Sequence, residues 1–358
     1  MKICLIIYLM KIIYLGYNSF DEHKRGVENV IDFQSQSLGF ENKYYLHWGN
    51  NKTVKKNNNF ICISIKHCWY FPIIINVIIG KLKKKNGNNI IVHSHNYLYT
   101  FFSIFKTHLF TVHDGLYYLN SSKKRKITLH FKLIEKIVYK RVKTVHFISN
   151  YSKQQSLFGT KDNFVIIPNT SHFEHYQQGV IPDTNVFRNT YLNVLIVRSI
   201  EERARIDLLL EVAEKQIGIY NFIVAGKGPL LENYREIIKS KRIDNVILLG
   251  YVEDKELLML YANCDLVLMI AEYGEGFGLP IIEGYLFNKP VIASNKCAIP
   301  EVIISKEYLF ENNSESIIQS LKFASNNLHN NYRDYYDRNF SNAVVLSKFK
   351  DLYSNTFI

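Results

Sequence analysis

Twice along this chain a series of short apolar runs alternates with stretches of helical periodicity, and no other feature restricts the fold as tightly. The first series is "KIIYLGYN" (11–18), "KYYLHWG" (43–49), "FICISI" (60–65), "NIIVHSH" (89–95), "LFTVHD" (109–114), "TVHFIS" (144–149) and "FVIIPN" (164–169). Amphipathic stretches such as "GVENVIDFQSQSL" and "LHFKLIEKIVYKRV" lie between most of them. After a polar segment at about 174–191 the rhythm restarts with "NVLIVRS" (193–199), "NFIVAG" (221–226), "NVILLGYV" (245–252), "DLVLMIA" (265–271) and "PVIAS" (290–294). Strands that are apolar along their whole length are buried on both faces. Alternated with helices, they predict parallel sheets covered on either side. The 358 residues suit two such domains. The expected division is 1–175, a linker at 176–190, 191–335, and a C-terminal helix over 336–358 that can pack back on the first domain. Open α/β sheets bind ligands at the carboxyl ends of their strands, so the expected site is the cleft the two domains face.

Charge divides the same way. Residues 1–180 hold 25 Lys/Arg against 9 Asp/Glu, and residues 181–358 hold 19 against 23. A single basic run such as "KLKKK" (81–85) or "SSKKRK" (121–126) is ordinarily solvated surface. A difference of this size between halves points to an anionic partner of the first half, either nucleic acid or the cytoplasmic face of a membrane. No recognised nucleic-acid module accompanies the charge, so nucleic acid is set aside. The apolar "WYFPIIINVIIG" (69–80) before "KLKKK" reads either as a buried helix or as an amphipathic membrane face. No run reaches the ~20 apolar residues of a spanning helix. The opening "MKICLIIYLM" lacks a small-residue cleavage site, and a second "MKI" at 10–12 makes Met10 an alternative start. Five cysteines at 4, 62, 68, 264 and 297, odd in number and with no C-x-x-C, argue against a disulfide framework or a zinc site and for a reducing compartment.

The polar residues that matter fall at strand ends. "IVRSIEERAR" puts Arg198 just after a strand, with Arg203 and Arg205 close behind, where cations suit a diphosphate. "VAGKGPLLENY" ends a strand in Gly226 and Gly228, which allow close backbone approach; a plain strand-to-helix turn reads the same way. "VHSHN" and "TVHDG" bring His93, His95 and His113 to strand ends, as acid/base groups, hydrogen-bond donors or, for the first two, a same-face pair. No carboxylate or cysteine at metal spacing joins them, and no D-x-D occurs, so no metal is expected. In "GEGFGLPIIEG" (274–284), Gly276 and Gly278 free the backbone before a helix that begins near Leu279-Pro280. Its amides form an anion site, with Glu275 on the loop before and Glu283 about one turn in. Carboxylates accept hydrogen bonds from vicinal hydroxyls. Hydroxyls at both ends and phosphate between them describe a nucleoside diphosphate sugar.

These residues, in this order, resemble the retaining glycosyltransferases of family 4. The family's Glu-x7-Glu motif is similar to Glu275–Glu283 within "EGFGLPIIEGYLFNKPVIAS", and the likeness continues through "AIPEV" (298–302). "VAGKGPLLENY" and "NVILLGYVEDKELLMLYANCDLVL" resemble its GxGP turn and following segment, "FVIIPNT" the end of its first domain, and "RGVENVI" (25–31) its GGxE loop with Arg25 for the first glycine. The resemblance implies the GT-B fold, two doubly wound Rossmann-like α/β domains facing across a cleft. It implies catalytic parts for His113, Arg198, Arg203 and Glu275, with Arg205 a rival of Arg203. It implies donor binding by Gly26, Gly226, Gly228, Tyr251, Phe277, Gly278, Leu279 and Glu283. Glu283 would hold the ribose, Glu275 the transferred sugar, and amides around Phe277–Leu279 the sugar and phosphate. Departures are Val197 for the usual glycine, an arginine for the usual lysine, and Glu272 for a frequent serine. The implied enzyme needs no cofactor beyond its nucleoside diphosphate sugar donor. Its acceptor is a saccharide, polyprenyl-diphosphate-linked in the assembly of bacterial surface polysaccharide, presented at the inner face of the cytoplasmic membrane. A GT-B sugar-nucleotide epimerase and a catalytically silent partner subunit are the alternatives.

Overall fold

Each half of the chain builds one sheet, parallel throughout save for one edge strand. The computed structural model describes residues 11–20, 26–37, 42–49, 54–57, 60–66, 68–87, 90–113, 128–156, 163–175 and 186–357. The alternative start at Met10, Arg25, the basic run 121–126 and linker residues 176–185 lie outside the described residues. The first compact unit comprises Met1–Asn169 with Val345–Ile358, and the second Thr170–Val344.

In the first unit the strands are β1 (Lys11–Leu15), β2 (Asn42–Gly49), β3 (Val54–Asn57), β4 (Phe60–Lys66), β5 (Ile90–Ser94), β6 (Leu109–Val112), β7 (Thr144–Phe147) and β8 (Phe164–Ile166). Their order is β3-β4-β2-β1-β5-β6-β7-β8, with β3 alone antiparallel. The helices are α1 (Gly26–Gln34), α2 (Phe71–Asn86), α3 (Tyr97–Phe102), α4 (Thr128–Arg141) and α5 (Asn150–Gln154). Central β1 shows why its run is apolar without a break. Successive side chains point to opposite faces of a strand. Ile12 and Tyr14 pack with Ile31 of α1 and with Val345, Phe349 and Tyr353 near the carboxyl end. Ile13 and Leu15 pack with Ile75 and Ile79 of α2. The helical pattern from residue 26 runs to 38, but α1 ends at Gln34. Ser35 and Ser37 turn their hydroxyls back on the carbonyls of Asp32 and Gln34, each at 2.7 Å, and offer the backbone an alternative to the helix.

The second unit has β9 (Leu192–Val197), β10 (Tyr220–Ala225), β11 (Val246–Gly250), β12 (Leu266–Met269), β13 (Val291–Ser294) and β14 (Leu309–Phe310), ordered β11-β10-β9-β12-β13-β14 and all parallel. Its helices are α6 (Ile206–Lys215), α7 (Leu231–Lys241), α8 (Asp254–Asn263), α9 (Leu279–Leu286), α10 (Ile299–Val302), α11 (Ser314–Ser325) and α12 (Tyr332–Asn339). The last helix, α13 (Asn342–Phe357), runs from this unit into the first. Chain order reverses between β9 and β12 here, and between β1 and β5 in the first unit. A crevice opens at such a switch point, at the carboxyl ends of the two strands.

Candidate active site

Arg198 and Glu275 meet at the switch point of the second unit. Arg198 directly follows β9, and its side chain is almost fully buried. Its Nη1 donates to Glu275 Oε2 at 2.5 Å, on the loop after β12. Its Nε is buried with no hydrogen-bond partner among the described residues. A buried guanidinium with an unused donor is the kind of exception that calls for an anion or other acceptor. The neighbouring loop is pressed close. Arg198 N donates to Ala225 O at 3.0 Å, and Ile200 N to Lys227 O at 3.0 Å. A Cβ on Gly226 would lie 1.7 Å from Arg198 O, and one on Gly228 2.1 Å from Ile200 O. The glycines after β10 therefore let two strand-end loops touch, and that contact fixes the backbone of Arg198.

The two rival cations are engaged differently. Arg205, left-handed at φ 48°, binds Asp207 through Nε at 3.1 Å and Nη2 at 2.9 Å, and Glu272 Oε2 through Nη1 at 3.0 Å. Two carboxylates hold it, and they keep its guanidinium more firmly protonated than usual. Glu272, at the position marked as a departure, also accepts from Asn312 Nδ2 at 2.8 Å. That bond and Arg205 hold its carboxyl below the usual carboxylate pKa. Arg203 instead donates through Nη1 to Gly274 O at 3.0 Å, and its Nε lies 3.4 Å from the half-exposed Glu201. Arg203 thus sits against the loop that carries Glu275, whereas Arg205 belongs to a carboxylate cluster.

The left-handed glycines of that loop are Gly274 (φ 72°) and Gly278 (φ 98°). Gly276, expected to free the backbone there, is not among the positive-φ glycines. Gly278 is the N-cap of α9, Pro280 occupies its first turn, and no side chain caps it. The positive end of α9 therefore faces the Glu275 loop without a neutralising side chain. Phe277 turns its ring into the core, edge-on to Phe340 at 6.0 Å, so any ligand contact here is through its backbone. Gly284 lets α9 lie flat on the sheet, since a Cβ there would meet Val291 Cγ2 at 2.5 Å.

Glu283 is 5% exposed, and its Oε2 accepts from the Tyr261 hydroxyl of α8 at 2.7 Å. Burial pushes its carboxyl up from 4.5 to about 7, opposed by the Tyr261 bond and reinforced by Asp254. A carboxyl raised on folding supports the fold fully below about pH 4.5, and that support is lost as pH rises through about 7. Glu283→Gln removes the titration. It should therefore match the parent's stability near about pH 4 and exceed it near about pH 8, by on the order of 3 kcal/mol. Chemical unfolding at both pH values checks this, and an equal gap at both would show that the carboxyl pays no burial cost. Tyr261 was not among the residues expected from sequence, because in the apolar pattern of α8 it reads as ordinary core.

Tyr251 follows β11 and is 68% exposed, with the Lys227 amine 5.2 Å from its ring centre. In the first unit, Gly26 opens α1. His113 follows β6, and its Nε2 lies 2.9 Å from His95 Nδ1. Burial lowers the His113 imidazole to about 3, so at neutral pH it exchanges a hydrogen bond as a neutral ring. His95 is buried at the switch point, where its backbone N donates to Leu15 O at 2.8 Å. His93 belongs elsewhere. Its Nδ1 meets the Tyr353 hydroxyl at 2.7 Å and its Nε2 the Thr111 hydroxyl at 2.8 Å. Thr111 continues to His146 at 3.0 Å, and Tyr353 to Tyr14 at 2.9 Å. His93 is thus part of a buried polar chain that seats α13 on the sheet, and neither of its nitrogens is left for a metal or a substrate.

With this geometry in view, comparison with known proteins gives a consistent answer. Residues 178–340 match the family model described as Glycosyl transferases group 1, so this part of the chain is a domain of that kind. The O-antigen biosynthesis glycosyltransferase WclY of Escherichia coli is 26% identical over 182 residues, 49% of each chain. The chain spans about half the length, or less, of the first curated relatives it matches. Sucrose-phosphate synthase from Thermosynechococcus elongatus superposes with a TM-score of 0.77 at 15% identity, over 97% of this chain and 99% of that one. Anabaena HepE, in complex with UDP and glucose, superposes with a TM-score of 0.71 at 14% identity, over 97% and 100%. The fold is that of the GT-B glycosyltransferases, two parallel-sheet Rossmann-like α/β domains.

Proposed function

We propose that this chain is a retaining, metal-independent glycosyltransferase of family 4. It moves a hexose-type sugar from a nucleoside diphosphate sugar to a saccharide acceptor, lipid-linked through a polyprenyl diphosphate, in bacterial surface polysaccharide assembly. The observation that carries this reading is the buried Arg198, paired with Glu275 beside the uncapped end of α9, with Glu283 one turn further on. The relatives' O-antigen roles support the pathway, and UDP with glucose on a GT-B neighbour supports the donor class.

In this reading Glu283 receives the ribose hydroxyls, with Tyr261 steadying its ionised form, and Tyr251 offers an exposed ring to the base. Backbone at Phe277, Gly278 and Leu279 meets the sugar and phosphate, and Gly226, Gly228 and Gly26 let the chain come close to the diphosphate. Glu275 lies toward the transferred sugar, and neutral His113 serves as a hydrogen-bonding group for sugar hydroxyls. The bond from the anomeric carbon to the diphosphate oxygen breaks as the acceptor hydroxyl attacks from the same face. The departing oxygen takes the acceptor's proton, and Arg198 with Arg203 stabilises the charge developing on the diphosphate. Two arginines supply the counter-charge that a metal provides elsewhere.

Thermal shift against UDP-, GDP- and dTDP-sugars tests this directly, since a ligand that binds only the folded chain raises its melting temperature by mass action. One nucleotide class should raise it, and the released sugar should keep the donor's anomeric configuration with EDTA present. No shift with any of them, inversion, or loss of turnover in EDTA would overturn the reading.

A further inference from the structure

Helix α2 carries two opposite faces. Ile75 and Ile79 are buried against the sheet, as the sequence allowed. The opposite face, at spacings of four, four and three, presents Ile73, Val77, Lys81 and Lys84, all exposed. Its amino-terminal turns are thus apolar and its last turns cationic. Trp69, just before the helix, is 88% exposed. Asn76 widens the apolar end: its Nδ2 donates to Phe102 O at 3.0 Å, and its Oδ1 accepts from Ile104 N at 2.8 Å. These bonds fasten the segment after α3 alongside α2, so that Ile104, 80% exposed, joins Ile73 and Val77 along an open apolar groove, and Phe102, two residues earlier, is also exposed. A polar residue in an apolar helix is here spent on holding more apolar surface toward solvent.

We infer that this face is an interfacial docking surface for an anionic lipid bilayer, with Trp69, Ile73, Val77, Phe102 and Ile104 entering the headgroup boundary and Lys81 and Lys84 facing lipid phosphates. An exposed apolar patch of this kind marks an interaction surface, and three observations select the bilayer. Residues 42–113 contain ten lysines and no aspartate or glutamate, a charge complement to an anionic sheet and not to another basic surface. An exposed tryptophan beside branched aliphatics, with lysines on the same helix face, is the composition of an interfacial helix. Among the described residues no helix is long and apolar enough to cross a membrane, so attachment through this face is at the surface.

The test needs neither donor nor acceptor, so its failure leaves the transferase reading standing, and the reverse also holds. The full chain is titrated with vesicles of phosphatidylcholine alone and of phosphatidylcholine with about one third phosphatidylglycerol, followed by sedimentation and by tryptophan emission. The chain has two tryptophans, and Trp48 is packed edge-on against Phe71 and Tyr99 at 5.0 and 4.4 Å, so Trp69 is the reporter. Emission should shift to the blue with the anionic vesicles, and Trp69→Phe should abolish the shift. The combined Ile73→Ser, Val77→Ser, Ile104→Ser variant should bind at least about tenfold more weakly. Lys81→Glu with Lys84→Glu should lose about fivefold per lysine, and wild-type binding should weaken with salt. All five positions are exposed, so the melting temperatures should stay at the wild-type value. If the triple variant does not fold, Trp69 emission in the wild type still decides. The inference is overturned by unmoved emission, by equal binding of the two vesicles, or by a wild-type dimer that the triple variant dissolves without any vesicle binding.

Discussion

An Arg198→Ala variant is expected to keep its fold and to lose about a thousandfold in turnover with whichever nucleotide sugar the chain binds. The estimate follows from removing one preorganised donor at a site of developing charge, which costs on the order of 100- to 1,000-fold, with a full charge placing it at the upper end. The position makes Arg198 unusually hard to replace. Its backbone is held by Ala225 O at 3.0 Å, its Nη1 is committed to Glu275, and its Nε remains for a ligand. Arg198→Lys keeps the charge but not the two-point geometry, and should fall between alanine and wild type. The loss should appear in kcat as well as in kcat/KM, because the diphosphate charge grows as the sugar bond breaks. A loss confined to KM would make Arg198 a ground-state binding residue and remove the proposed mechanism. Removing Arg198 also leaves Glu275 without its cation. Adding Glu275→Gln should therefore recover stability while leaving the chain inactive, which separates the structural part of the pair from the chemical part.

How far the sequence foretells this site depends on whether a residue's role is local. Arg198, Gly226 and Gly228 were legible because a strand's apolar run marks its own end and these residues follow it closely, and Glu275 because it lies in the glycine-rich loop before a helix start. Helix α9 was legible because Leu279-Pro280 follows a glycine. What failed to show depends on distant partners or on weak patterns. His93 looks like a site histidine at a strand end, yet Tyr353, 260 residues away, takes one of its nitrogens. Edge strand β3 is "VKKN", a sequence with neither an apolar run nor an apolar alternation to mark it as a strand. Strand β14 has two residues, too few for any period. The segment 69–80 was ambiguous for a physical reason: a helix buried on one face and apolar on the other carries no polar stripe to reveal which face is inside. Arg203 and Arg205 could not be separated by spacing alone, since the distinction lies in Glu272 and Asp207 closing on one of them.

Gly226→Ala is expected to be the most destabilising single methyl that can be added near the site. At φ 152° a side chain is strained, and its Cβ would lie 1.7 Å from Arg198 O and 2.7 Å from Arg198 C. Both obstacles are backbone and cannot rotate away. Either β10 separates from β9 at its end or Arg198 moves, and both break the bonds by which the two strand-end loops hold each other. Backbone strain of about 1–3 kcal/mol together with overpacking of similar size gives roughly 4 kcal/mol. Gly218→Ala is the matched control. Its φ of 82° is also left-handed, but nothing lies within 4 Å of the added Cβ, so it carries the conformational cost alone, about 1 kcal/mol. Thermal melts of the two variants should differ by several degrees, with Gly226→Ala the lower. Gly226→Ala should also lose the donor-induced shift, because the displaced backbone is that of Arg198, while Gly218→Ala should keep it. Equal melting temperatures for the two would mean that the loops are not in contact. A stable Gly226→Ala that still binds donor would mean that Arg198 is positioned by Glu275 alone, and the glycines after β10 would then revert to an ordinary strand-to-helix turn.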